Sequence, residues 1–139
     1  VNIDTLAAEL TRDEGKRLKP YKDSVGKLTI GVGRNLDDVG IRPDECDLLL
    51  KNDILAAMNQ LDINLAWWRN LDEVRQRVLA NMAFNMGIAT LLTFKNTLAA
   101  VEAGSWEAAA DGMKASHWAA QVGPRADRLI AMMRTGVAP

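Results

Sequence analysis

The apolar positions of the chain fall into two regimes. Ile3, Leu6, Ala7 and Leu10 recur at the repeat of one face of a helix, which predicts a first amphipathic helix over residues 3–13. It stops at Glu14-Gly15, and the period then changes. Lys19-Pro20-Tyr21 is extended, because a proline pushes the residue before it out of the α region. Asp23-Ser24-Val25-Gly26 is a turn by composition, and Lys27–Val32 is a β-branched run closed by Gly31 and Gly33. A small hairpin or short sheet results, and no strand signal follows it.

The helical period returns at Pro43, well placed as a first helical residue with Asp44 and Glu45 in the favoured acidic first turn. Leu50, Ile54, Ala57, Met58, Leu61 and Leu65 form one stripe. This predicts a helix of about twenty residues, roughly 30 Å long and able to span two lobes. From Leu71 the chain reads as short helices near 72–86, 95–103, 106–114 and 124–135. The expected architecture is α+β and mostly helical, one two-lobed domain over 1–139. A small β-hairpin lobe of about 14–45 is joined by a connecting helix of about 43–63 to a helical lobe of about 64–139, which the N-terminal helix 3–13 completes.

Composition narrows what such a domain does. Of 139 residues, 48% are hydrophobic and 25% charged, the mix of a folded domain. A single Cys46 and a single His117 exclude a disulfide framework and any zinc site built wholly from Cys and His. Gly31-Val32-Gly33 lacks the further glycine and the lysine of a phosphate loop. Neither a metal nor a cofactor is expected. Cys46 falls on the apolar face of the long helix and is expected to be buried, Trp67-Trp68 to pack between lobes, and the methionines to fill the core.

A net charge of −1 argues against nucleic acid as partner. The total hides an uneven distribution. Residues 12–42 hold eight basic and five acidic residues, residues 113–139 four and one, and residues 43–112 five and ten. The longest uncharged stretch, Val78–Phe94, is broken by Asn81, Asn85, Gly87, Thr90 and Thr93, so no membrane span is expected. Asp4 and Glu9, with no basic residue before Arg12, are unlike the start of a signal peptide.

Three residues could carry chemistry, and each has an ordinary explanation by itself. Glu14, near a helix C-terminus where the dipole disfavours a negative charge, reads as a solvated or ion-paired surface residue. Asp23 reads as a turn residue bonding its own backbone, and Thr29 as a strand former. Their combination changes the reading. The string EGKRLKPYKDSVGKLTIGVG from Glu14 to Gly33 places two carboxyls and a hydroxyl around one small β element. Two carboxyls across a glycosidic bond are what its hydrolysis requires: one protonates the leaving oxygen, the other activates water or attacks the sugar.

With that string the chain resembles glycoside hydrolase family 24, the T4-lysozyme-like muramidases of phages. The likeness continues through Val74–Gly87 (VRQRVLANMAFNMG), Ser105–Ala109 (SWEAA), Ser116–Trp118 (SHW), Pro124–Arg128 (PRADR) and Arg134–Gly136 (RTG). The resemblance implies a lysozyme-like fold and an endolysin-type enzyme that cleaves the β-1,4 bond between N-acetylmuramic acid and N-acetylglucosamine in bacterial peptidoglycan, with inversion. Glu14 matches the family's general acid, Asp23 the carboxylate that holds the attacking water, and Thr29 the hydroxyl that helps position it. Arg125 matches an arginine that contacts the acid from the helical lobe. Asn35, Phe84, Asn85 and Trp118 match substrate-side positions, with core packing an equal claim on Phe84 and Trp118. A monomer is expected, accumulating in the host cytoplasm and reaching the wall once another factor opens the membrane.

The chain also departs from the family pattern. Arg34 stands where a histidine is common, and an Arg34–Asp53 pair is expected to replace a histidine–aspartate pair. His117 stands where the family has an arginine. Only Asn35–Ile41 joins the β element to the long helix, a shorter connection than the family's, which predicts a reduced small lobe. Two other readings stay open: a lytic transglycosylase, which works with one acid and leaves an anhydro sugar, and a wall-binding module without turnover.

Overall fold

The computed structural model describes residues 1–139, and it is mostly helical with one small antiparallel sheet. Helix α1 spans Ile3–Glu14 and starts under Asn2, whose side chain accepts the Thr5 N–H at 2.9 Å. Three strands follow in the order β1 (Arg17–Lys22), β2 (Leu28–Gly31) and β3 (Arg34–Asn35). Tyr21 pairs with Thr29, and Thr29 in turn with Asn35, so Thr29 is the middle rung of the sheet. The hairpin predicted from sequence thus gains a third strand, only two residues long.

Helix α2 runs from Pro43 to Asn64, one residue past its predicted end. A short 3₁₀ turn, Ala66–Asn70, leads to α3 (Glu73–Met86), α4 (Ile88–Leu91), α5 (Lys95–Ala103), α6 (Trp106–Lys114), α7 (His117–Val122) and α8 (Pro124–Thr135). α7 was not visible in the hydrophobic period. Its six residues are bounded instead by Ser116, whose hydroxyl accepts the Ala119 N–H at 3.2 Å, and by Gly123.

Two compact units divide the chain, residues 1–49 and 50–139, with the boundary inside α2. This puts α1 with the sheet, where the sequence pattern had assigned it to the helical lobe. Gly15 and Lys16 alone separate α1 from β1.

The core lies in residues 50–139. Val78, Leu79 and Met82 of α3 meet Leu98 and Val101 of α5, Ala109, Ala110 and Met113 of α6, and Ile130 and Met133 of α8, all buried. Small residues let α6 approach its neighbours: a Cβ on Gly112 would lie 2.3 Å from Thr97 Oγ1. One buried cation ties the far end of α8 to this core. Arg75 donates from Nε to the Met133 carbonyl at 2.7 Å and from Nη2 to that of Arg134 at 3.1 Å. These are carbonyls of the last turn of α8, the groups that a helix end leaves unpaired. The same guanidinium pairs with Asp72 at 3.1 Å and lies over the Trp106 ring, 3.9 Å from its centroid. Cys46 is exposed rather than buried, so the apolar face of α2 does not extend to its first turn.

Candidate active site

Residues 1–49 bring the two carboxyls and the hydroxyl onto the α1–sheet unit. Glu14 is the last residue of α1, which ends there because Gly15 takes φ 77° and returns its N–H to the Thr11 carbonyl. The Glu14 side chain is exposed and lies along the turn between β2 and β3. A Cβ placed on Gly33 would come within 3.4 Å of both Cδ and Oε2 of Glu14. Gly33 also adopts φ 72°, which only glycine takes without strain. The G31-V-G33 end of the signature therefore makes a bare backbone wall for the acid.

Asp23 occupies the β1–β2 turn, and its Oδ1 accepts the N–H groups of Val25 at 3.0 Å and Lys27 at 2.8 Å. The backbone closes the same turn, with Asp23 N–H donating to the Lys27 carbonyl at 2.9 Å. One carboxylate oxygen is thus spent on the fold, and Oδ2 takes no part in the turn. Thr29 is 3% exposed, and its hydroxyl donates to the Lys27 carbonyl at 2.9 Å. With its hydrogen committed, Oγ1 is left as an acceptor. The ordinary explanations of Asp23 and Thr29 are therefore true of half of each side chain.

Arg34 and Asn35 hold the loop to α2. Asn35 Oδ1 accepts the Asp38 N–H at 2.9 Å and its Nδ2 donates to Asp38 at 3.0 Å, so both side-chain ends serve the loop. The partner the structure gives Arg34 is Glu45 at 2.7 Å, eight residues before the Asp53 to which the sequence pointed. Glu45 is well placed for this. Its Oε1 also accepts the Arg42 N–H at 2.8 Å, the reach-back contact of a helix N-terminus. The Arg34 hydrogen bond, and then that N–H, hold the Glu45 carboxyl below its ordinary pKa.

In residues 50–139 the expected substrate-side residues separate into two groups. Phe84, 44% exposed, lines a cavity of about 420 Å³ with Arg125, Arg77, Asn81, Ala80, Leu50 and Ile54. Asp53 lies with Phe84 on a smaller cavity of about 280 Å³. Asn85 and Trp118 form the other group. The Trp118 indole N–H donates to Asn85 Oδ1 at 2.8 Å, its ring meets Phe94 edge-on at 6.5 Å, and only 6% of the residue is exposed. Trp118 is a core residue, and it fixes the orientation of the exposed Asn85 amide.

Sequence reasoning missed Asn81. Its Oδ1 accepts both Nε and Nη2 of Arg125, at 3.0 and 2.7 Å. The available signal was an amide at an otherwise apolar helical position. No three His, Cys, Asp or Glu side chains are grouped to hold a metal ion. No helix is long and apolar enough to cross a membrane.

Two carboxyls and a hydroxyl on one small sheet are residue types that glycoside hydrolysis uses, and comparison with known proteins gives the family. Residues 11–132 match the phage lysozyme family. The chain belongs to that family. Two relatives from Dictyostelium discoideum, probable T4-type lysozymes 1 and 2, are each 31% identical over 163 residues, covering 96% of this chain and 96% of the relative. The pre-baseplate central spike protein Gp5 of Enterobacteria phage T4 is 32% identical over 160 residues, covering 95% of this chain and 28% of that protein. Membership makes the chain a lysozyme-type glycoside hydrolase with peptidoglycan as substrate. The alignments to the T4-type lysozymes run to 163 positions against 139 residues here, so gaps open in this chain.

Proposed function

We propose that the protein cleaves the β-1,4 bond between N-acetylmuramic acid and N-acetylglucosamine by single-step, inverting hydrolysis, and that it serves phage-type host lysis. Glu14 is the general acid that protonates the leaving oxygen. Asp23 takes a proton from water through Oδ2, and Thr29 Oγ1 orients that water by accepting its other hydrogen. The observation that carries this reading is the division of labour at Asp23: two turn N–H groups hold Oδ1 and so aim Oδ2. Inversion places the attacking water on the face of the sugar opposite the leaving group, so the first sugar released carries the α configuration.

Lysis of outer-membrane-permeabilised bacteria by the wild type and by Glu14→Gln tests the assignment. The glutamine keeps size and hydrogen bonding but cannot deliver the proton, and loss of lysis is expected. Equal lysis by both proteins would sink the reading, and lysis by neither would favour a wall-binding module. Mass and NMR analysis of the first products completes the test. Anhydro ends would mean transglycosylation, and a β-configured product would mean retention.

A further inference from the structure

We propose that Asp37 is a positioning residue for the reaction: its carboxylate fixes the one peptide unit to which both Asp23 and Thr29 are bonded. The inference rests on the reading above, in which those two residues hold the attacking water. They meet at Lys27. Its carbonyl accepts the Thr29 hydroxyl at 2.9 Å and the Asp23 N–H at 2.9 Å, and its N–H donates to Asp23 Oδ1 at 2.8 Å. The Thr29 hydrogen follows that carbonyl, and the acceptor side of Oγ1 turns with it. The separation and mutual direction of Asp23 and Thr29 therefore pass through one backbone group.

A peptide unit is planar, so a carbonyl is aimed by whatever holds the N–H on its other side. Beyond the Lys27 carbonyl that N–H is Leu28's, and it donates to Asp37 Oδ2 at 2.7 Å. A hydrogen bond to a carboxylate is roughly twice as strong as one between neutral groups. The Leu28 carbonyl is held too, by the Leu36 N–H at 2.7 Å. Asp37 thus continues the ladder beyond Thr29–Asn35, the last paired rung of β2 and β3. The two residues of β3 end before they reach the Leu28 N–H, and a side chain takes over from the strand.

The loop that carries Asp37 is braced. Asn35 Oδ1 accepts the Asp38 N–H at 2.9 Å, and the Asn35 carbonyl accepts the N–H groups of Val39 at 3.1 Å and Gly40 at 3.2 Å. Asp38 takes Lys27 Nζ at 3.1 Å and Asn35 Nδ2 at 3.0 Å, one on each oxygen. Lys27 is therefore gripped twice from this loop, through its side chain by Asp38 and through its peptide by Asp37. All of these residues lie within one compact unit, residues 1–49. Alanine at position 37 leaves the Leu28 N–H to water and the peptide free to rock, whereas asparagine keeps an oxygen to accept it. A misplacement of about 1 Å can cost about 10²-fold in rate, and the rocking of one peptide is a fraction of that. No substrate contact changes, so the loss falls on kcat.

The test measures kcat and KM on solubilised peptidoglycan for wild type, Asp37→Ala, Asp37→Asn, Asp38→Ala and Asp23→Asn, below the melting temperature of each. Asp37→Ala is expected to lose about five- to tenfold in kcat with KM within about twofold of wild type, the split of a contact that acts mainly in the transition state. Asp37→Asn is expected to recover most of that loss. A wild-type kcat in Asp37→Ala, a loss carried by KM, or a loss that asparagine does not relieve would overturn the inference. Should Asp37→Ala fail to melt cooperatively, Asp38→Ala decides. A fall of about threefold in kcat alone supports the inference, and an unchanged kcat overturns it. Asp23→Asn keeps the two failures apart. If it hydrolyses as fast as the wild type, the water-holding reading itself falls; if it is inactive, a wild-type kcat in Asp37→Ala removes Asp37 alone.

Discussion

Asp23 serves the fold with one oxygen and, in the proposed mechanism, the chemistry with the other, and substitution can separate the two. Asn at position 23 retains an Oδ1 that can accept from Val25 and Lys27, the two bonds that close the turn. It has no base to offer water. Asp23→Asn should therefore melt near the wild type while hydrolysis falls by about 10²-fold or more, the usual contribution of a general base. Asp23→Ala should lose the same activity and also about 1–2 kcal/mol of stability for the turn bonds. Parallel melting curves and rate measurements check this, and more than a tenth of wild-type activity in the asparagine variant would remove Asp23 from the mechanism. This site was readable from the sequence because its parts are close together: the turn is complete within Asp23–Lys27, and Glu14 meets Gly33 across one small sheet. Asn81 was not readable. Its partner lies forty-four residues away on α8, and an amide in a helix by itself resembles a spacer.

Helix α2 shows the same limit at the scale of an element. Its stripe and acidic first turn predicted residues 43–63, and it spans Pro43–Asn64. What the pattern did not reveal is that a carboxylate anchors each end. Glu45 takes Arg34 and the Arg42 N–H at the start, and Asp62 takes Arg69 and the Trp68 indole N–H near the finish. An acid in a last turn opposes the helix dipole, so Asp62 depends on those donors. The Arg69 hydrogen bond, and then that of Trp68, pull its pKa down to about 2. Both folded-state values lie below those of the unfolded chain. The stability they contribute is therefore present above about pH 4 and lost as pH falls, for Asp62 down to about pH 2. Unfolding curves should be flat between about pH 6 and 8, where neither Arg34 nor Glu45 titrates, and should drop below about pH 4. Asp62→Asn should be less stable at neutral pH and show a shallower acid drop. An acid drop as steep as in the wild type would place the loss elsewhere. The elements that the pattern missed, β3, the 3₁₀ turn Ala66–Asn70, α4 and α7, are two to six residues long, too short for any period to register.

At the scale of the molecule, the near-zero charge is an average over unlike segments. A net −1 protein has no evident attraction for a wall polymer rich in carboxylates, yet residues 12–42 carry a net +3 and residues 113–139 another +3, against −5 in the stretch between. The first of these holds Glu14, Asp23 and Thr29, and the second holds Arg125. If the basic segments meet the substrate, attraction is local and subject to screening, since the Debye length falls from about 30 Å at 0.01 M salt to about 8 Å at 0.15 M. Lysis should then slow several-fold over that range, mainly through weaker encounter. Lys19 and Lys22 on β1 are exposed and separate this effect from catalysis. Changing both to Glu should slow lysis at low salt and flatten the salt dependence. Lys51→Glu, an exposed position in the acidic stretch, should leave both close to wild type. A wild-type rate indifferent to salt, or equal effects from the β1 and Lys51 variants, would mean that wall recognition does not depend on the basic segments and that the segregation of charge serves solubility instead.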